Sequence, residues 1–251
     1  MDPGSRLKGL VLYVKEPEAL GQFYCDVLGM HREASEDSTV VGYDGVGAKL
    51  HLCRTEGSQS YEHHRLDRYW KFAIHMSNLD LAVEQLVAKG ISVSKPQQFR
   101  DIAYLCHMTD PEGHVIELIQ HTFEGEQRTS AGDPELPLGG DAHLGLVTLR
   151  TENMEAELER CVNEFGMSYL SRQALTDLGF DLYFFAFTNE QPPNEDLNSV
   201  ENRPWLWQRP YTVLEFQHRL TGESIQQRPE DSVGGATVLL AHPGGRVEVF
   251  R

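Results

Sequence analysis

Two stretches of the sequence decide its fold: residues 23–30 read FYCDVLGM and residues 110–119 read DPEGHVIELI. In the first stretch, aromatic and aliphatic residues recur at helical spacing before Gly29, a residue type that commonly ends helices in a left-handed conformation. In the second stretch, a turn around Pro111 and Gly113 leads into an apolar run rich in strand formers. The two stretches therefore predict the end of an amphipathic helix and a final buried strand.

The segments around these stretches repeat one order of elements, a strand followed by a helix and then further strands. The first copy is predicted as a strand at 10–14, a helix at 16–28, and strands at 39–43 and 48–53. The second copy is predicted as a strand at 70–76, a helix at 79–89, and strands at 91–93, 103–107 and 115–119.

A third copy begins after a segment rich in Gly, Pro, Ser and acidic residues. Its predicted elements are a strand at 144–150, a helix at 154–164, strands at 182–187 and 212–218, and a loop at 189–203. Gly9 in the first copy matches Gly145 in the third, which indicates an internal repeat.

The fourth copy is incomplete, with only two predicted strands at 236–240 and 246–250. We therefore expect a first domain at 1–123, a linker at 124–141, and a second, shortened domain at 142–251.

The composition excludes several classes of protein. A net charge of −16 disfavours nucleic acids and anionic membrane surfaces as partners. The sequence has no apolar run long enough to cross a membrane, and residues 1–5 lack the features of a signal peptide. Four scattered cysteines indicate reduced thiols, so we expect a cytoplasmic protein.

These stretches resemble the vicinal oxygen chelate superfamily, which contains glyoxalases, bleomycin resistance proteins and dioxygenases. Residues 182–187 and 211–218 are similar to part of eukaryotic-type glyoxalase I. The resemblance implies an α+β fold of tandem modules, in which paired βαβββ units form curled, cup-shaped sheets around a ligand.

The resemblance also implies where a divalent metal would bind, since His or Glu ligands come from the first and last strands of each unit. In the first module the matching positions are Gly9, His51, Lys71 and Glu117. In the second module they are Gly145 and Glu215, with Glu248 matching only if one residue is deleted and with His143 one rung away.

Of these residues, His51, Glu117, Glu215 and His143 could ligate a metal such as Zn, Ni, Mn or Fe. Two protein ligands seldom suffice to hold a metal, so we expect a site without a metal rather than one with a metal.

One interpretation of these residues is catalytic. Lys71 could replace the metal and orient a substrate, with Glu117 as general base and His51 as its partner. Burial can lower the pKa of such a lysine. The enzyme would be a lyase or isomerase of the glyoxalase I type, and less plausibly a relative of the extradiol dioxygenases. A plain ion pair between Lys71 and Glu117, without chemistry, is the simpler alternative.

Two other interpretations involve no reaction. A metal-free cup could bind and sequester a small molecule, as the resemblance to bleomycin resistance proteins implies, with Tyr13, His75, Tyr104 and Glu215 as binding residues. Alternatively, side chains could fill the cup of a scaffold protein. The expected partner is a small organic molecule, and unpaired strand edges in the incomplete fourth copy favour a homodimer.

Overall fold

The first repeat unit consists of a strand, a helix and three further strands, in a computed structural model that describes residues 4–35, 38–56 and 61–250. The elements are β1 (Arg6–Val14), α1 (Pro17–Leu28), β2 (His31–Glu33), β3 (Thr39–Gly42) and β4 (Lys49–Arg54). Pro17 begins α1, where its missing N–H costs no hydrogen bond, and Gly29 ends it with a φ of 72°. The sequence pattern did not indicate β2, whose residues are all exposed. Residues 1–3, which belong to the segment without signal-peptide features, lie outside the described residues.

The second unit has the same order of elements. They are β5 (Tyr69–Met76), α2 (Leu79–Ala88), β6 (Gln97–Phe99), β7 (Ala103–Thr109) and β8 (Val115–Gln120). The predicted strand at 91–93 is wrong: this segment forms only an isolated bridge between Val93 and Met108, and the short edge strand lies later, at β6.

The third unit contains one strand and one helix that the sequence pattern did not indicate. Its elements are β9 (His143–Thr151), α3 (Met154–Leu158), β10 (Ser168–Leu175), β11 (Phe180–Ala186), α4 (Asn202–Trp207) and β12 (Val213–Arg219). The predicted helix at 154–164 continues beyond α3 in a π-helical conformation. The unpredicted elements are β10 and α4, and α4 begins inside the predicted loop.

The fourth unit is incomplete, as predicted. It consists of β13 (Ala236–Ala241) and β14 (Val247–Phe250), which form an antiparallel hairpin. In this hairpin, β13 pairs with β1 of the first unit.

The two sheets combine the units in an order that differs from their order along the chain. The eight-stranded sheet runs β10-β11-β12-β9-β5-β8-β7-β6 and joins the second unit to the third. The six-stranded sheet runs β14-β13-β1-β4-β3-β2 and joins the first unit to the fourth. The prediction that Gly9 and His51 share a cup with Lys71 and Glu117 is therefore wrong, because their strands lie in different sheets.

The segment predicted as a linker packs on α2. The side chain of Asn78 donates to the carbonyl of Ala131 at 2.7 Å, and that of Gln85 donates to the carbonyls of Pro134 and Leu136. The division of the chain into two domains at this segment stays a prediction. None of the helices in the described residues has the length and hydrophobicity needed to cross a bilayer.

Two apolar clusters lie on the two faces of the eight-stranded sheet. The larger one continues into the six-stranded sheet and includes Tyr24 and Leu28 of α1 and Phe72 of β5, all fully buried. The smaller one lies on the concave face and includes Leu146 and Trp207. Strand side chains alternate between faces, so this second cluster surrounds the residues that face the cup.

A β-bulge at Gly145 makes room for the ring of His75 on the neighbouring strand. Ala73 pairs with Leu146 and Ile74 pairs with Leu144, which leaves Gly145 as an extra residue in β9. A Cβ atom at Gly145 would lie 2.1 Å from Nδ1 of His75. The ring therefore occupies the space that any side chain at residue 145 would need.

We expect the substitution Gly145→Ala to lower the free energy of unfolding by about 1–3 kcal/mol, the usual cost of overpacking. The matched control is Gly47→Ala, whose Cβ would make ordinary contacts at 3.5 Å, and it should change the stability by less than about 0.5 kcal/mol. Urea unfolding measures both values. Equal effects of the two substitutions would contradict the steric role of Gly145.

Candidate functional site

Lys71 and two glutamates meet at the centre of the eight-stranded sheet. In this sheet β5 and β9 lie side by side, and each is flanked by the last strand of its own unit. Glu117 on β8 lies beside Ala73, while Glu215 on β12 lies beside Thr148, the partner of Lys71. Two residues that the sequence analysis assigned to separate modules, Glu117 and Glu215, therefore share one site.

Leu146 takes the place on β9 that the sequence analysis gave to Gly145. In the antiparallel pairing of β5 and β9, Lys71 lies opposite Thr148 and Ala73 lies opposite Leu146. An approximate two-fold axis between the two strands therefore exchanges Lys71 with Leu146. Gly145 is the extra residue of the bulge and falls outside this pairing. The four positions that face one another are thus an ammonium, two carboxyl groups and an aliphatic side chain.

The Lys71 ammonium bridges the two glutamates. It donates to Oε2 of Glu117, and its Nζ lies 3.6 Å from Oε2 of Glu215. Glu215 also accepts a hydrogen bond from the Thr148 hydroxyl. Lys71 is only 3% exposed, so these contacts replace almost all of its hydration.

The three charged groups shift one another's proton affinities. Burial alone would lower the pKa of Lys71, but Glu117 and Glu215 outweigh burial and raise it, so the expectation of a lowered lysine pKa is wrong. Burial would likewise raise the pKa of Glu117, yet Lys71 and His107 lower it to about 2. For Glu215, burial and the nearby Glu117 raise the pKa above its ordinary value despite Lys71.

Two further residues complete the polar end of the cup, and the sequence analysis did not single them out. Nε2 of His107 lies 3.0 Å from Oε1 of Glu117. Trp70 is the extra residue of a second bulge, between Tyr69 and Lys71, and the Lys71 ammonium lies 4.6 Å from the centre of its ring. Alternation along the predicted strand at 103–107 could have revealed His107, whereas no sequence pattern indicates a bulge at Trp70.

A cavity of about 210 Å³ opens above these groups. Its walls are mostly aromatic and aliphatic, and its polar lining is concentrated where Lys71, His107, Glu117 and Glu215 meet. The apolar lining residues are Phe99, Ile102, Ala103, Leu105, Ile119, Leu146, Phe180, Leu182 and Trp207. The cup thus combines an apolar chamber with a single charged end.

The donor groups at this end do not fit a divalent metal. The Lys71 ammonium lies between the carboxylates where a cation would have to bind, and Leu146 offers no ligand atom. Throughout the described residues, no group of three or more His, Cys, Asp or Glu side chains is arranged to hold a metal ion.

Three residues predicted for the site lie elsewhere. His51 and Tyr13 belong to the six-stranded sheet, and the His51 ring covers Gly9, whose Cβ would lie 2.6 Å from it. Tyr104 donates to Asp80 at 2.7 Å and lines a separate polar cleft. His51 and Tyr13 are separated from Lys71 because alternation fixes a residue's face but not which strands become neighbours. Tyr104 lies in the same sheet as Lys71, but it faces the opposite side from Leu105 and His107, which line the cup.

The predicted pair of His143 and Glu215 does not form. His143 pairs with His75 across β9 and β5, whereas Glu215 lies beside Thr148, farther along β9. His75 faces the same side of β5 as Lys71, but its ring contacts His143 and Trp207. The two histidines therefore belong to a separate cluster at the opposite end of the central strands.

A family model of the Glyoxalase/Bleomycin resistance protein/Dioxygenase superfamily matches residues 6–118. This part of the chain belongs to that superfamily. It carries Lys71 and Glu117, one half of the site described above. No curated protein matches the chain in sequence.

Solved structures extend the similarity to the whole fold. Glyoxalase I from Zea mays matches 98% of this chain and 92% of its own, at 15% identity and a TM-score of 0.66. A putative dioxygenase from Bacillus subtilis subsp. subtilis str. 168 matches 87% of this chain and 66% of its own, at 14% identity and a TM-score of 0.49. TnmS3, an antibiotic binding protein from Streptomyces sp. CB03234, matches 44% of this chain and 90% of its own, at 18% identity and a TM-score of 0.36. At these identities, the likeness to the maize enzyme shows the fold alone.

We expect Lys71→Met to lower the free energy of unfolding by about 3–5 kcal/mol, since it leaves two buried carboxyl groups without their cation. The double variant Lys71→Met with Glu117→Gln should recover part of this loss, because it removes the uncompensated charge. Urea unfolding at pH 7 measures each variant.

The control for this series is the exposed ion pair between Arg65 and Glu223. The substitution Arg65→Met should cost less than about 1 kcal/mol, as exposed pairs usually do. A similarly small cost for Lys71→Met would show that the buried cluster does not depend on its ammonium.

Proposed function

We propose that the protein binds a small, uncharged and largely apolar organic molecule in the central cup, without a divalent metal. The observation that carries this proposal is the position of the Lys71 ammonium, which binds Glu117 and Glu215 at the charged end of an otherwise apolar cavity. The ammonium takes over the charge balance that a metal would supply, and the chamber above it remains open to a ligand.

The size and lining of the cavity narrow the class of ligand. A volume of about 210 Å³ is below the roughly 300–1,000 Å³ typical of sites for drug-sized molecules. Phe99, Phe180 and Trp207 supply ring surfaces that suit a flat or cyclic hydrocarbon body. We therefore expect a ligand with one or two rings.

The charged end favours a neutral ligand with one oxygen atom. An anion would meet two carboxyl groups and a single ammonium whose charge they already balance. An ammonium has three N–H donors, so Lys71 can serve both glutamates and still donate to a hydroxyl or carbonyl oxygen. This contact would orient the ligand in the cup.

A second candidate function is proton transfer on such a ligand, as in a lyase or isomerase. The observation that favours it is the raised pKa of Glu215, which makes this carboxyl group a better base than Glu117, whose pKa is about 2. The predicted role of general base therefore passes from Glu117 to Glu215. Lys71 would stabilise negative charge on the ligand oxygen, while the predicted partner His51 lies in the other sheet.

Binding of 2-naphthol, a neutral fluorescent compound with one hydroxyl group, tests the main proposal. We expect saturable binding with a Kd that changes less than twofold after treatment with a chelator, and at least tenfold weaker binding of the anionic 2-naphthoate. Binding that is lost with the chelator and restored by a divalent metal would contradict a metal-free cup.

A pair of leucine variants locates the site. Leu105→Trp fills the cavity and should raise the Kd of 2-naphthol at least tenfold, which corresponds to about 1.4 kcal/mol. Leu178→Trp places the same side chain at an exposed position outside the cavity lining and should leave the Kd unchanged. Equal affinity in both variants, with both folded by circular dichroism, would place binding outside the cup.

A homodimer and a cytoplasmic location stay predictions of the sequence. The stoichiometry of the purified protein in sedimentation equilibrium tests the first.

A further inference from the structure

Three histidines form a cluster at the end of the central strands opposite the charged site. His75 on β5 pairs with His143 on β9, and their ring centres lie 5.4 Å apart. His121, directly after β8, lies 5.8 Å from His143 by the same measure. The proposed function uses none of these side chains.

The cluster contains buried ring nitrogens without hydrogen-bonding partners. His75 is fully buried, and neither of its ring nitrogens has a partner at normal geometry. The Nε2 atoms of His121 and His143 are also buried and unpartnered. Such groups are rare in folded proteins, because each forfeits its hydrogen bonds to water.

The neutral form of each histidine is favoured in the folded protein. Burial lowers the pKa of all three histidines. The pKa of His121 falls to about 4. Besides burial, the other two histidines and Lys71 oppose protonation of His75, while the Trp207 backbone favours it.

Groups around the other two histidines modify this effect of burial. Asp141 favours protonation of both His121 and His143, and the backbone of Arg209 also favours that of His143. Nδ1 of His121 lies 2.8 Å from the Thr129 hydroxyl, which leaves Nε2 as the nitrogen that faces the cluster.

His75 also contacts the wall of the ligand cavity. Its ring meets that of Trp207 edge to face, with 5.4 Å between centres. Trp207 lines the cavity, and its indole N–H donates to the carbonyl of Ile102, another lining residue, at 3.0 Å. The His75 ring therefore supports the aromatic wall from behind.

The cluster is open to solvent on its other side. His121 and His143 line an open cleft together with Asp141 and Gln208. Gln208 follows Trp207 directly, and its side chain donates to the His121 carbonyl at 3.2 Å. Protons can thus reach the cluster from outside the cup. The end of α4 contacts the cluster through Gln208 and the cavity through Trp207.

We propose that His75, supported by His121 and His143, is a positioning residue that holds Trp207 in the cavity wall, and that protonation of the cluster displaces Trp207 and weakens ligand binding at acid pH. Imidazolium rings need solvation that the packed cluster cannot provide, so a charged cluster has to open. The glycine at residue 145 fits this role, because a side chain there would overlap the His75 ring that lies against Trp207.

The direction of the pH effect follows from the lowered pKa values. An exposed histidine begins to bind protons as the pH falls through about 6.5, whereas the closed cluster resists them down to about 4 at His121. The closed conformation is therefore fully favoured above pH 6.5, and it loses stability relative to an open one as the pH falls from 6.5 towards 4.

The predicted effect on binding rests on the proposed function. The first test needs no ligand and is therefore independent of that function. In protein labelled with ¹⁵N-tryptophan, the indole signal of Trp207, assigned with Trp207→Phe, should shift or broaden between pH 7.5 and 4.5. In His75→Phe, which keeps a ring but cannot be protonated, the signal should stay constant. An indole signal of the unsubstituted protein that does not respond to pH would overturn the proposal even if 2-naphthol binds.

The second test measures the Kd of 2-naphthol over the same pH range. We expect at least a tenfold rise by pH 4.5 in the unsubstituted protein and less than a twofold rise in His75→Phe. The matched control is His63→Gln, since His63 also has a pKa lowered to about 4 but lies outside the cluster; it should keep the tenfold rise. A tenfold rise that persists in His75→Phe would assign the acid effect to groups outside the histidine cluster and overturn the proposal.

Discussion

The ammonium of Lys71 between Glu117 and Glu215 is the interaction on which the rest of the site depends. Two buried carboxyl groups at the centre of one sheet would repel each other and resist ionisation unless a cation lay between them. Here that cation is a side chain of the protein itself. Lys71 on β5 thus links β8 and β12, the last strands of two units. The positive charge that offsets the two carboxyl groups is part of the polypeptide chain.

This arrangement changes what the fold can do. A divalent metal offers open coordination positions to a ligand, whereas an ammonium offers only hydrogen bonds of fixed number. At the positions described, Lys71 and Leu146 offer no ligand atom to a metal, and the chamber beside them is lined mainly by apolar side chains. In the function that we propose, the cup recognises its ligand by shape and by one oriented oxygen contact.

Two β-bulges, one on each central strand, determine which side chains lie beside the ammonium and behind the cavity wall. The bulge at Trp70 places an aromatic ring beside the ammonium, and the bulge at Gly145 admits the ring of His75 behind the cavity wall. Each bulge inserts one residue and changes which side chains face the cup. The charged end and the histidine cluster therefore occupy the same face of the same strands.

The sequence by itself determined the longer strands and the helices of the first two units, the two strands of the shortened fourth unit, and the residue types of the site. Periodicity and turn residues are local properties, so α1, α2, β8 and the inward positions of Lys71 and Glu117 could be predicted from them. The edge strands β2 and β6 are too short to show a pattern, and α4 is held by contacts distant in sequence, such as that of Trp207 with Ile102. The pattern also missed β10, an edge strand whose ladder partner is the next strand, β11. Only the tertiary structure decided which units share a sheet, and with that it placed Glu215 beside Lys71 and left His51 in another cup. The physical reason is that strand alternation fixes a side chain's face, whereas the choice of neighbouring strand depends on burial summed over the whole chain, and a single bulged residue is enough to shift a side chain by one place.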